Sequence, residues 1–137
     1  MKTNLLQVSV LAVIAAAAVH AQGYPKVTAN VPFDFVAGDH TFRAGQYTVD
    51  QGRLSGTGLL IECLDHKDAA FALANSIQSS AVRSHGRLVF HRYRNTYFLS
   101  EVWVGGGQGR WIATTHRERE LAAKGVMPQV TTLLASR

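Results

Sequence analysis

Leu88-Val89-Phe90-His91-Arg92-Tyr93-Arg94-Asn95-Thr96-Tyr97-Phe98-Leu99-Ser100-Glu101-Val102-Trp103-Val104 is the stretch on which the fold turns. Two runs rich in aromatic and β-branched residues flank Arg94-Asn95, which predicts a β-hairpin with a two-residue loop. Asn95 is the loop residue expected to tolerate positive φ. In that register Tyr93 faces Thr96, Arg92 faces Tyr97, Phe90 faces Leu99 and Leu88 faces Glu101. One face then carries Leu88, Phe90, Arg92, Tyr97, Leu99, Glu101 and Trp103. The other carries Val89, His91, Tyr93, Phe98, Ser100, Val102 and Val104. Both are too apolar for a sheet that is wet on one side. The expected core face is that of Phe98, Val102 and Val104. The opposite face, with Arg92, Tyr97, Glu101 and Trp103, is the candidate ligand or partner surface. Arg92 beside Tyr97 is placed for a cation–π contact.

Upstream, Val27, Ala29, Val31, Phe33 and Phe35 alternate with polar residues and Pro32, as in a strand buried on one side. Pro32 lacks an amide donor and suggests an edge or a bulge. Turns at 37–40 and 43–45 bracket a short piece at Thr41-Phe42. Gln46 to Asp50 alternates again, with Tyr47 and Val49 inward, and 51–58 reads as a loop. Leu59 to Leu64 is a strand, with Cys63 on the face of Leu59 and Ile61. That placement makes Cys63 a buried, inert small hydrophobe. Ala69 to Val82 is ambiguous between helix and strand, because its alanines favour helix. Phe71, Leu73 and Ile77 share one strand face, Ala70, Ala72 and Ala74 the other, and Ala69 to Gln78 is read as a strand.

Downstream, Gly105 to Gly109 reads as a flexible connector. Thr115-His116-Arg117-Glu118 matches the capping box that opens a helix, Glu120 and Lys124 are an i,i+4 pair, and Gly125 is a stop. Gln129 to Ala135 is a closing strand or a frayed tail. The expected fold is all-β: an antiparallel sandwich or small barrel of about seven or eight strands, with one short C-terminal helix.

The chain has 137 residues, 47% hydrophobic and 17% charged, which suits one domain and excludes a disordered tail. Lys2, the uncharged apolar run from Leu5 to Val19, and Val19-His20-Ala21 together predict a signal peptide over 1–21, cut before Gln22. The expected mature domain is 22–137, secreted or periplasmic, without a stable membrane span. The single cysteine excludes an internal disulfide.

Val31-Pro32-Phe33-Asp34-Phe35-Val36-Ala37-Gly38 with Ala44-Gly45-Gln46-Tyr47-Thr48-Val49 resembles the opening of a group of small exported proteins of acidobacteria. Leu88-Val89-Phe90-His91-Arg92-Tyr93 with Tyr97-Phe98-Leu99, and Glu118-Arg119-Glu120-Leu121, resemble that group's central hairpin and C-terminal helix. The resemblance implies an exported β-rich domain and brings no activity with it. Arg43 departs from the group's usual proline, and Arg94-Asn95 from its usual Gly-Asp.

No motif for catalysis, metal or cofactor stands out. His40, His66, His85, His91 and His116 lack the close spacing of a zinc motif, and His116 with Glu120 reads as surface electrostatics. No Gly-x-Ser-x-Gly elbow occurs. Asp34 with Asp50, or Glu62 with Glu101, are the candidate carboxylate pairs of a hydrolase. Gly105 to Gly109 lacks the Lys-Ser/Thr ending of a phosphate loop. Arg83, His85, Arg87, His91, Arg92 and Arg94, interleaved with Phe90, Tyr93 and Tyr97, suit an anionic polymer, but export argues against nucleic acid. The reading is a non-catalytic, exported structural, binding or protein-interaction module. Its partner is a protein, a cell-surface polymer or a small apolar ligand. The alternative is a carrier that holds an apolar or aromatic molecule between its sheets, followed by a hydrolase.

Overall fold

The alternation from Val27 to Phe35 belongs to two strands. β1 (Lys26–Val31) ends at Pro32, whose missing amide cannot continue a ladder, and β2 (Phe35–Ala37) pairs elsewhere. These positions come from a computed structural model that describes residues 25–52, 57–81 and 83–137. The signal peptide expected over 1–21 and the cut before Gln22 lie outside the described residues, as do 53–56 of the loop and 82.

The remaining elements are β3 (His40–Phe42), β4 (Gly45–Asp50), β5 (Gly58–Cys63), β6 (Ala69–Gln78), β7 (Gly86–Tyr93), β8 (Thr96–Gly105), β9 (Gln108–Ile112), α1 (His116–Ala123) and β10 (Gln129–Ala135). The protein is all-β with one short C-terminal helix. Neighbouring strands run β1-β4-β5-β6-β9-β8, and β8 carries β7 and then β10 on its other edge. Thr28 and Ser136 exchange backbone hydrogen bonds of 2.7 and 2.9 Å, which brings the end of β10 back to β1. That single bridge brings the two ends of the open sheet beside each other. β2 pairs in parallel with the start of β8 at Tyr97 and Phe98, beyond the reach of β9.

Three local features depart from the sequence expectation. Gly105 to Gly109 is a tight turn into β9 rather than a flexible connector: Gly105, Gly106 and Gly107 all have positive φ, and Gly105 pairs with Gln108. At the β7–β8 turn Arg94, not Asn95, takes the left-handed conformation, at φ 56°. The hairpin register also shifts between Val89 and Phe90. Phe90 faces Leu99 as expected, but Val89 faces Glu101 and Leu88 faces Val102, so Ser100 is an extra residue in a β-bulge.

That bulge divides each predicted face. Leu88, Phe90, Leu99, Val102 and Val104 all enter the main core. Phe98 does not; with Val36 and Tyr93 it forms a second cluster, covered by Leu121 and Val126. The helix is docked as its cap directs. Thr115 Oγ1 accepts from the Glu118 amide at 3.1 Å, and the buried Glu118 carboxylate lies 3.4 Å from His91 Nδ1.

The main core is filled by aromatic and branched side chains. Val27, Val31, Phe42, Tyr47, Leu59, Ile61, Phe90 and Val102 each expose 0% of their surface. Phe35 lies between Phe42, Tyr47 and Phe90, with ring centroids 5.1, 5.1 and 5.5 Å away.

Candidate interaction surface

β6 settles its ambiguous sequence as a strand, with a consequential choice of faces. Its small residues point inward: Ala72 and Ala74 are buried in the core. Its large ones point outward, with Phe71 59% and Leu73 76% exposed. Alanine is what this inner face admits, because the β2–β3 hairpin tip approaches closely. A Cβ on Gly38 would lie 3.6 Å from that of Ala72. Across the strand pair Leu73 faces Gly58, which offers no side chain to cover it.

The outer face continues onto β9 and β8. Asn75 pairs with Trp111, itself 39% exposed, and Trp111 pairs with Glu101. The next row runs from Ile77 through Gly109 to Trp103 and Arg87. β6 also has a backbone edge to offer. β9 pairs with its second half, Ala74–Gln78, whereas Ala69–Leu73 pairs with β5 only. Beside that edge lies an open groove of about 540 Å³ whose lining includes Phe71, Leu73, Ile112, His116 and Arg119.

The four residues singled out from sequence form two pairs. Arg92 and Tyr97 face each other, with the guanidinium 5.3 Å from the ring centre. Tyr97 is half-buried, stacked at 3.7 Å on Phe33, and Arg92 Nε donates to the Arg94 carbonyl at 2.7 Å. Glu101 and Trp103 stand on the outer face, where the indole Nε1 donates to Glu101 Oε2 at 2.7 Å. Trp103 faces outward as expected, yet it is only 6% exposed, since the Arg87 guanidinium lies 4.5 Å from its ring. Burial, and then Arg83, lower the pKa of Arg87. The structure does not unite Arg92, Tyr97, Glu101 and Trp103 in one cluster, and it sets the exposed Trp111 beside Glu101.

The other candidates have local partners. Asp34 accepts from the Ala44 amide and Asp50 from that of Gly52, both at 2.9 Å. His116 lies 3.1 Å from Glu120 on the exposed side of α1. Among the described residues no three His, Cys, Asp or Glu side chains are grouped to hold a metal ion. No helix among them is long and apolar enough to cross a membrane.

Cys63 differs from its expectation. It is half-buried, and its Sγ lies 3.2 Å from His66 Nδ1. His66 Nε2 is 4.0 Å from Asp68 Oδ2, and Asp68 Oδ1 is 2.7 Å from His40 Nε2. Cysteine and histidine three apart, in the turn after a strand, are the sequence signal for this contact. Comparison with protein-family models, with curated proteins and with solved structures gave no match to the chain.

Proposed function

We propose that the protein is an exported, non-catalytic interaction module whose outer face on β6 and β9 receives a protein partner. One observation carries this reading: Phe71, Leu73 and Trp111 stand exposed on two neighbouring strands while alanines fill the inner face. Burying a Phe or Leu side chain is worth about 1.5–3 kcal/mol, and the fold leaves that gain unused. Exposed apolar side chains beside an unpaired strand edge suit an extended segment of another protein, which adds a strand and covers the side chains. The filled core favours this reading over the carrier, because the fully buried side chains leave no water-sized space around themselves.

A photoreactive phenylalanine analogue at position 73, in the protein expressed in its own cell, tests the proposal. The expected result is a cross-linked adduct of discrete mass, reduced at least about tenfold by Phe71→Thr, an affinity loss of about 1.4 kcal/mol. A probe at Thr132, on β10, should give no such adduct. Equal labelling from both positions, or none from position 73, contradicts the proposal.

A further inference from the structure

We infer that α1 is a hinged wall that gates the groove beside β6. The inference rests on the role proposed for that groove and adds how access to it is controlled. β6 lines the groove with Phe71, Ala72 and Leu73, and the β2–β3 turn and the chain from Ile112 into the first turn of α1 line the rest. β9 ends at Ile112, so an extended segment added at Ala69–Leu73 lies against the start of α1.

That wall is weakly held. Of the eight residues of α1 only Glu118 is buried and Leu121 half-buried, while the other six are exposed. A surface helix ordinarily docks through three or four apolar residues in two turns. α1 docks through one leucine and one carboxylate, with Val126 following. Taking a carboxylate out of water is costly unless its partners are well placed. Glu118 meets His91 Nδ1 at 3.4 Å, near the outer limit of a hydrogen bond. It also faces the Tyr93 phenol, whose pKa is raised by burial first and by the Glu118 charge second. The hinges lie at 113–114, exposed and outside regular structure, and at Gly125, which takes φ 77°. An eight-residue helix does not persist alone in water, so α1 melts as it leaves the sheet. Undocking uncovers Val36, Tyr93 and Phe98, and it withdraws His116 and Arg119 from the groove.

Amide hydrogen exchange of the full chain, followed by mass spectrometry of its peptides, tests the hinge. Protection over 116–124 should be at least about 100-fold below that of β7 and β8. The photoreactive analogue at position 73 tests the gate. Glu118→Ala should raise the yield of the partner adduct at least about threefold, and Leu121→Ala should act in the same direction, with the melting of the strands kept as the check on folding. Protection in α1 equal to that in β7 and β8 overturns the inference. A wild-type adduct whose yield is unchanged in both folded variants also overturns it, and leaves the partner surface on β6 standing. No adduct from wild type removes that surface, and the gate with it. If Glu118→Ala does not fold, Leu121→Ala and the exchange rates decide.

Discussion

Trp103 lies flat on β9 only because residue 109 is glycine. A Cβ there would come within 2.6 Å of the indole ring, well inside contact distance. Gly109→Ala must therefore lift the ring from beneath Arg87 and strain its bond to Glu101. The expected cost is about 2 kcal/mol, within the range for overpacking, read from urea unfolding followed by tryptophan fluorescence. Trp103 itself is covered, so Trp103→Ala should lower stability by about 3 kcal/mol rather than act mainly on binding. Tyr47 gives a pH test. Burial first, and Cys63 second, raise its hydroxyl pKa above the ordinary value of about 10. The neutral phenol is the form the fold favours. Its contribution is fully present below about pH 10 and is lost as pH rises past that value, where the unfolded chain ionises first. Tyr47→Phe should flatten that alkaline decline. At neutral pH it should cost about 1 kcal/mol, because the hydroxyl donates to the Arg43 carbonyl.

At the level of elements, one extra residue decides which side chains of the central hairpin meet the core. Ser100 has no partner opposite, and after it the alternation reverses, so that Leu99 and Val102 both enter the core. Deleting Ser100 would remove the bulge and leave Phe90–Leu99, Val89–Glu101 and Leu88–Val102 as successive pairs, so Leu99 and Val102 stay inward and Glu101 and Trp103 outward. The expected outcome is a retained cooperative unfolding transition, checked by thermal melting. Thr115→Ala should cost about 1 kcal/mol through loss of the helix cap, also read by melting. These two elements differ in legibility. The helix was readable because its start and stop are local chemistry at Thr115, Glu118 and Gly125. The strands around Arg94-Asn95 were readable from composition. The bulge was not, since period-two alternation carries no mark of an inserted residue, and the predicted surface of Arg92, Tyr97, Glu101 and Trp103 inherited that error of phase. β9 was hidden for a different reason. Its three preceding glycines look like a connector until their positive φ values make a turn.

Across the whole molecule, the central feature is a sheet that packs aromatic and branched side chains on its inner face and carries large apolar residues on its outer one. The sequence displayed both faces of β6 without saying which was inner. That choice depends on the approach of Gly38 to Ala72, a contact between residues far apart in the chain. The open backbone edge at Ala69–Leu73 likewise follows from where β9 ends, which no local pattern records. If Phe71 and Leu73 are spare in the isolated protein and held for a partner, removing them should leave the fold intact. The direct measurement is the unfolding free energy of the Phe71→Thr/Leu73→Thr double variant, with threonine keeping the β-strand preference of the site. The expected value lies within about 0.5 kcal/mol of wild type, as for surface substitutions. A loss of about 3 kcal/mol or more would mean that these side chains pack within the fold, and would contradict it.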